Sequence, residues 1–318
     1  MKEKKRSNTI DITRIYDASI KAVWDAWTDD KQVAQWWGPR GFSITTHSKE
    51  LKMGGSWNYT MHGPDGVNYP NITKYLEVEQ HKKLVYDHGA TPDRPALFRV
   101  TVLFSDLKGK TKMEMSMALE TVEAAEETRK FIKQAGGEAT WDRLAEHLEK
   151  HLSNKEIFVI NRSFDASITT MFKMWTDPKH IAQWLAPKGT DMIFIKADIR
   201  TGGSSFYMMT DGKEFKLYGR AKYIEISPTR LVYTQEFCDD NETTSRHPMA
   251  PTWPELMKTT VVFAEEDKEQ TRVTVTWETE GDVTTQELAA FIKERGGMTI
   301  GWSGSFDKLD SYLIQSNK

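Results

Sequence analysis

Cysteine is nearly missing from this chain of 318 residues, and Cys238 alone excludes an intrachain disulfide framework while fitting a reducing compartment. No apolar run approaches the roughly 18 residues of a membrane span. The basic start, Met1 to Asn8, leads into no apolar segment of the kind a secretory signal carries. These absences predict a soluble, cytoplasmic chain that does not insert into membranes. A dominant charge is missing too: 43 Lys and Arg against 46 Asp and Glu leave a formal net charge of -3, so no basic field points to nucleic acid. The chain also lacks GxSxG, a P-loop, a dinucleotide fingerprint, HExxH and Cys/His ligand spacing. Neither a metal nor any other cofactor is therefore predicted.

Aromatics are plentiful, with 11 Trp, 10 Tyr and 14 Phe, which suggests large apolar interiors. The other conspicuous feature is an internal repeat. ITRIYDASIKAVWDAWTDDKQVAQWWGPRG from Ile12 matches INRSFDASITTMFKMWTDPKHIAQWLAPKG from Ile160 at 15 of 30 positions without a gap. The match returns at Gly54-Gly55-Ser56 against Gly202-Gly203-Ser204, at KYLEV against KYIEI, and at FIKQAGG against FIKERGG. A repeat of this length is a whole domain, since solenoid periods run about 20 to 50 residues. Two tandem domains follow, 1–153 and 154–318, the second diverged and carrying an insertion near 236–256.

Within a copy, Thr9 to Ile15 alternates as a half-buried strand does. Ser19 is the expected N-cap of a first short helix, and a second begins at Asp29, where copy 2 has Asp177-Pro178. The period then changes to two, with strands expected over 42–52, 56–62, 69–79, 84–88, 97–105 and 110–118, joined by short turns that favour an antiparallel meander. A final helix carries the stripe Trp141, Leu144, Leu148 and Leu152, repeated as Trp302, Phe306, Leu309 and Leu313. Gly136-Gly137 is expected to interrupt the helical stretch that begins near Val122.

This order, with VWDAWTDDKQVAQWWGPRGF from Val23, the Gly-Gly-Ser-Trp turn at Gly54, and a Gly-Gly…Trp entry to the last helix, resembles the AHSA1-like (activator of Hsp90 ATPase homologue 1-like) family of the SRPBCC, or START/Bet v 1-like, superfamily. The resemblance spans nearly all of both copies. It implies an α+β helix-grip fold in each: a curved seven-stranded antiparallel sheet around a long C-terminal helix, with a cavity between them for apolar small molecules. The family's co-chaperones work with a separate N-terminal domain that has no counterpart in these residues, so Hsp90 activation is not carried over.

Trp57, Tyr59 and Met61 share one strand face and are expected to line that cavity with Trp37, Tyr69, Tyr86, Phe98, Met115 and Trp141. In copy 2 the corresponding set is Tyr207, Met209, Tyr233 and Trp302, but Leu185, Ala186 and Ser205 stand where Trp37, Gly38 and Trp57 do. The competing reading is a filled core. His62 and His88 are candidates for a general base at the mouth, with surface histidines as the plainer reading. His147 and His151, at i,i+4, read as a solvated helix face before a metal site. Asp239 and Asp240 should raise the Cys238 thiol pKa. Trp36 and Trp184 read as buried anchors. Three functions are compatible: non-enzymatic binding of an apolar small molecule, a protein-interaction role of the co-chaperone, stress-response kind, and an enzyme acting on a polyketide-like or aromatic substrate.

Overall fold

A computed structural model describes residues 7–91, 93–134 and 139–316. The chain divides into two compact units, Met1–Ser153 and Asn154–Lys318. In the first, β1 (Thr9–Tyr16) leads into the short helices α1 (Ile20–Thr28) and α2 (Asp30–Trp36). Six strands follow: β2 (Ser43–Lys49), β3 (Ser56–His62), β4 (Asn68–Glu79), β5 (Lys83–Ala90), β6 (Phe98–Leu107) and β7 (Lys110–Ala118). Helices α3 (Val122–Gln134) and α4 (Ala139–Ser153) close the unit. The strands form one antiparallel sheet of seven in the order β1-β7-β6-β5-β4-β3-β2.

The second unit repeats this plan with β8 (Ile157–Phe164), α5 (Ile168–Thr176), α6 (Pro178–Trp184), β9 (Asp191–Ala197), β10 (Ser204–Thr210), β11 (Lys216–Ser227), β12 (Arg230–Cys238), β13 (Leu256–Asp267), β14 (Gln270–Thr279), α7 (Thr285–Lys293) and α8 (Arg295–Ser316). Its sheet has the matching order β8-β14-β13-β12-β11-β10-β9. The insertion lies between β12 and β13.

Local chemistry sets the helix starts. Ser19 Oγ accepts from the Ala22 amide, and Asp29 Oδ1 accepts from those of Lys31 and Gln32, so orphan donors of α1 and α2 are satisfied. Asp177 does the same for α6, with Pro178 at its first position. At the turn before β3 a Cβ on Gly55 would lie 2.3 Å from the Glu50 carbonyl oxygen, and on Gly203 2.1 Å from that of Asp198. Only glycine fits there, which explains the repeated Gly-Gly-Ser. That turn also ends β2 at Lys49, short of residue 52.

Each sheet turns one face onto its final helix. Met113, Met115 and Met117 of β7, Val100 and Phe104 of β6, and Leu84 and Tyr86 of β5 share a buried core with Trp141, Leu144 and Leu148 of α4. Gly136-Gly137 lies outside the described residues. In the second unit the helical break falls at Glu294, between α7 and α8, and Gly296-Gly297 opens α8.

Candidate functional site

The space between sheet and helix in the first unit is filled with rings. Trp57 and Tyr59 stack at 4.1 Å, Trp37 meets Trp57 edge-on at 5.5 Å, and Trp37 Nε1 donates to the Tyr59 hydroxyl at 3.1 Å. Trp27 of α1 stacks on Trp141 of α4 at 5.6 Å. Burial drives the Tyr59 hydroxyl pKa upward, so it stays protonated. What remains is a void of about 10 Å³ lined by Trp27, Thr28, Trp37, Leu51, Trp57, Thr73, Tyr75, Leu84 and Tyr86. Ligand sites ordinarily enclose about 300–1,000 Å³, so the open cavity expected here is not present: the tryptophans occupy it. Two lining residues carry fully buried polar atoms without a hydrogen-bond partner, Trp27 Nε1 and Thr73 Oγ1. Thr73 lies near the Tyr59 hydroxyl, close enough to influence its ionisation but without hydrogen-bonding geometry.

His88, on the same sheet face at the end of β5, stacks on Phe98 at 5.0 Å and meets Trp37 and Tyr86 at 6.5 Å. Its ring makes no hydrogen bond to any described residue, and desolvation pushes its pKa down to about 4 even though a ring edge still meets solvent. Met115 is buried in the core, and Met61 is half-buried against Gly38. Two expected members fall elsewhere. Tyr69 is 42% exposed, its ring beside Phe42 at 6.1 Å and over Gly63. His62 points to the opposite sheet face from Met61, bridging Thr45 Oγ1 at 2.9 Å and Asn68 Oδ1 at 2.6 Å. It cannot act with His88; the period-two pattern that grouped Trp57, Tyr59 and Met61 already placed it outside.

The second unit keeps the stacked pair, Trp175 on Trp302 at 6.0 Å, and sets Trp277 edge-on to Trp302 at 5.7 Å. Trp175 Nε1, Trp277 Nε1 and Thr259 Oγ1 are buried there without hydrogen bonds, Thr259 lying near the Tyr233 hydroxyl as Thr73 does near that of Tyr59. Tyr233 packs against this core, whereas Tyr207 and Met209 pack against a separate small cluster of Ile181, Ala186 and Met192. The four predicted residues thus divide between two groups. Leu185, in the place of Trp37, packs against both groups, but no ring contact among the described residues joins them. The Tyr207 phenol instead crosses Gly219, where a Cβ would come within 2.6 Å.

Residues 239–255 form a strap that brings Trp253 to the mouth of this grip, 6.0 Å from Phe291 of α7. Arg246 holds it, donating to the Trp253 carbonyl at 3.0 Å and to the Glu287 carboxylate. Trp253 borders a void of about 20 Å³ with Tyr207, Gln235, Glu236, Phe237, Pro254, Glu255 and Met257. Gln235 occupies the place of His88, pairing with Met257 as His88 does with Phe98, and its amide likewise has no described partner. The sequence reading passes over Trp253, which carries no pattern that sets it apart from the rest of the insertion.

The remaining expectations resolve simply. Trp36 and Trp184 are fully buried anchors whose Nε1 atoms donate to the Ala26 and Met174 carbonyls. The His147 and His151 rings stack at 5.9 Å, and His147 Nε2 lies 3.2 Å from Gln32 Oε1. No cluster of three or more potential metal ligands exists among the described residues. The Cys238 thiol pKa is raised, chiefly by burial and only secondarily by carboxylates including Asp239. No described helix is long and apolar enough to cross a membrane.

Two sheets of seven antiparallel strands, each closed by a C-terminal helix, define a tandem helix-grip protein. The family model for activator of Hsp90 ATPase homolog 1-like proteins matches residues 17–149 and again 165–314, and the chain belongs to that family. No curated protein matches it. Among solved structures, one from Staphylococcus epidermidis is 27% identical over 48% of this chain and 96% of its own, with a TM-score of 0.42. One from Nitrosomonas europaea is 21% identical over 45% and 95%, with a TM-score of 0.41. An AHSA1 protein from Silicibacter pomeroyi is 17% identical over 50% and 99%, with a TM-score of 0.38.

Proposed function

We propose that this protein binds apolar small molecules between sheet and helix in each domain, to carry or sequester them, with a few interior polar groups orienting the ligand. One observation carries this reading: five of the nine buried side-chain polar atoms that lack a hydrogen-bond partner among the described residues lie inside the grips. They are Trp27 Nε1 and Thr73 Oγ1 in the first, and Trp175 Nε1, Thr259 Oγ1 and Trp277 Nε1 in the second. An interior that served packing alone would pair such atoms or leave them to solvent. The voids are small, so a ligand enters by displacing side chains, and apolar burial supplies most of its affinity.

The nearly filled interiors favour a second reading, a protein-interaction role in which an outer surface works, as the co-chaperones of the family suggest. The enzyme reading is weaker, because a base held near pKa 4 accepts protons poorly at neutral pH. The test is titration of the full chain with a neutral fluorescent probe such as N-phenyl-1-naphthylamine and with fluorescent fatty acids. Saturable binding with energy transfer from tryptophan supports the carrier reading. Absence of saturable binding to either class overturns it in favour of the surface.

A further inference from the structure

We propose that the first domain receives an uncharged, carbonyl-bearing apolar ligand through a side entrance between Thr28 and Leu51, its oxygen docking on Trp27 Nε1 and Thr73 Oγ1. This deepens the small-molecule reading and rests on it. Of the nine residues around the void, Thr28 and Leu51 are half-buried and the other seven are buried, so the void lies nearest the surface on their side. An indole N–H is a donor only, and this one is buried without an acceptor, while the threonine hydroxyl has the Tyr59 hydroxyl near it but makes no hydrogen bond. The missing component is therefore an acceptor. A void of about 10 Å³ has room for one oxygen atom and not for a ring, so the ligand's oxygen occupies it while its apolar body displaces Leu51 and lies on Trp57.

The walls exclude an ionised group: Trp37, Trp57, Tyr75, Leu84 and Tyr86 carry no charge at neutral pH. Lys49 closes the rim. Its Nζ donates to the Thr28 carbonyl at 2.8 Å, lies 3.3 Å from Asp30 Oδ1, and sits 4.8 Å over the Trp57 ring. The second domain cannot build this site, because Ala221, Ala197, Pro178 and Ser205 replace Thr73, Lys49, Asp30 and Trp57.

The test compares two compounds of the same skeleton, 1-indanone and indane, titrated into the ¹⁵N-labelled full chain while the indole N–H signals are followed. The expected result is that 1-indanone binds about tenfold tighter and shifts the Trp27 indole, which indane does not. Trp27→Phe and Thr73→Val each reduce 1-indanone to the affinity of indane, while Trp175→Phe leaves the preference intact. Equal affinities in the parent protein, or a preference surviving both Trp27→Phe and Thr73→Val, overturn the proposal and leave the carrier reading standing. Binding of neither compound overturns both.

Discussion

The tryptophans near the C-terminal ends of α1 and α2 offer a matched experiment. Trp27 and Trp36 are both buried and pack against each other at 5.4 Å, but Trp36 Nε1 has an acceptor at 2.9 Å and Trp27 Nε1 has none. Replacing either by Phe removes the same atoms and costs a similar packing loss. Trp36→Phe additionally forfeits a hydrogen bond, about 1 kcal/mol net, whereas Trp27→Phe removes an unmade one and recovers about 1–3 kcal/mol. Trp36→Phe should therefore be the more destabilising by about 2–4 kcal/mol. In a domain of this size that separates the melting temperatures by several degrees, at about 2–4 °C per kcal/mol. Urea denaturation followed by circular dichroism measures the difference on protein stripped of ligand. Equal costs would refute the assignment of Trp27 as a partnerless donor.

Three further outcomes follow from other contacts. His88, held near pKa 4, should cost stability as pH falls from about 6.5 toward 4, because the unfolded state takes up the proton first. Allowing for the ring's residual exposure, the loss is about 1–2 kcal/mol, and His88→Gln should flatten that part of the pH–stability curve; an unchanged curve would contradict the burial. Arg40→Leu removes the guanidinium that pairs with the buried Glu146 carboxylate at 2.6 Å, and should cost about 1–3 kcal/mol in denaturant titration. Gly55→Ala drives a Cβ into the Glu50 carbonyl, whereas at Gly54, with a φ of +79°, nothing lies within 4 Å. Gly55→Ala should thus unfold the first domain at lower urea than Gly54→Ala, and the reverse order would refute the close approach.

The fold was legible because it is written twice and in the right periods. Alternation named every strand of the first copy to within a few residues, and Ser19, Asp29 and Pro178 marked helix starts that the capping geometry reproduces. The site was less legible. Period two correctly put Trp57 and Tyr59 inside but says only which face a residue takes, not whether that face is covered there, and Tyr69 is exposed. Composition could not tell a tryptophan-lined cavity from a tryptophan-filled one, since that depends on the 5.6 Å stack between Trp27 and Trp141, two residues far apart in the chain. The orphaned Thr73 hydroxyl and the unpaired Gln235 amide have no sequence signature, because a partner's absence is a property of three-dimensional surroundings. Likewise the sequence marks only an insertion near 236–256, and packing alone shows Trp253 at the mouth.

Native mass spectrometry of the full chain, followed by solvent extraction of whatever is bound, shows most directly whether the grip interiors take up ligand. An apolar molecule of defined mass should be retained at one or two per chain, with Trp27→Phe and Thr73→Val lowering the occupancy of the first domain. A protein that carries nothing as purified, and nothing after incubation with apolar ligands, would contradict binding in the grips.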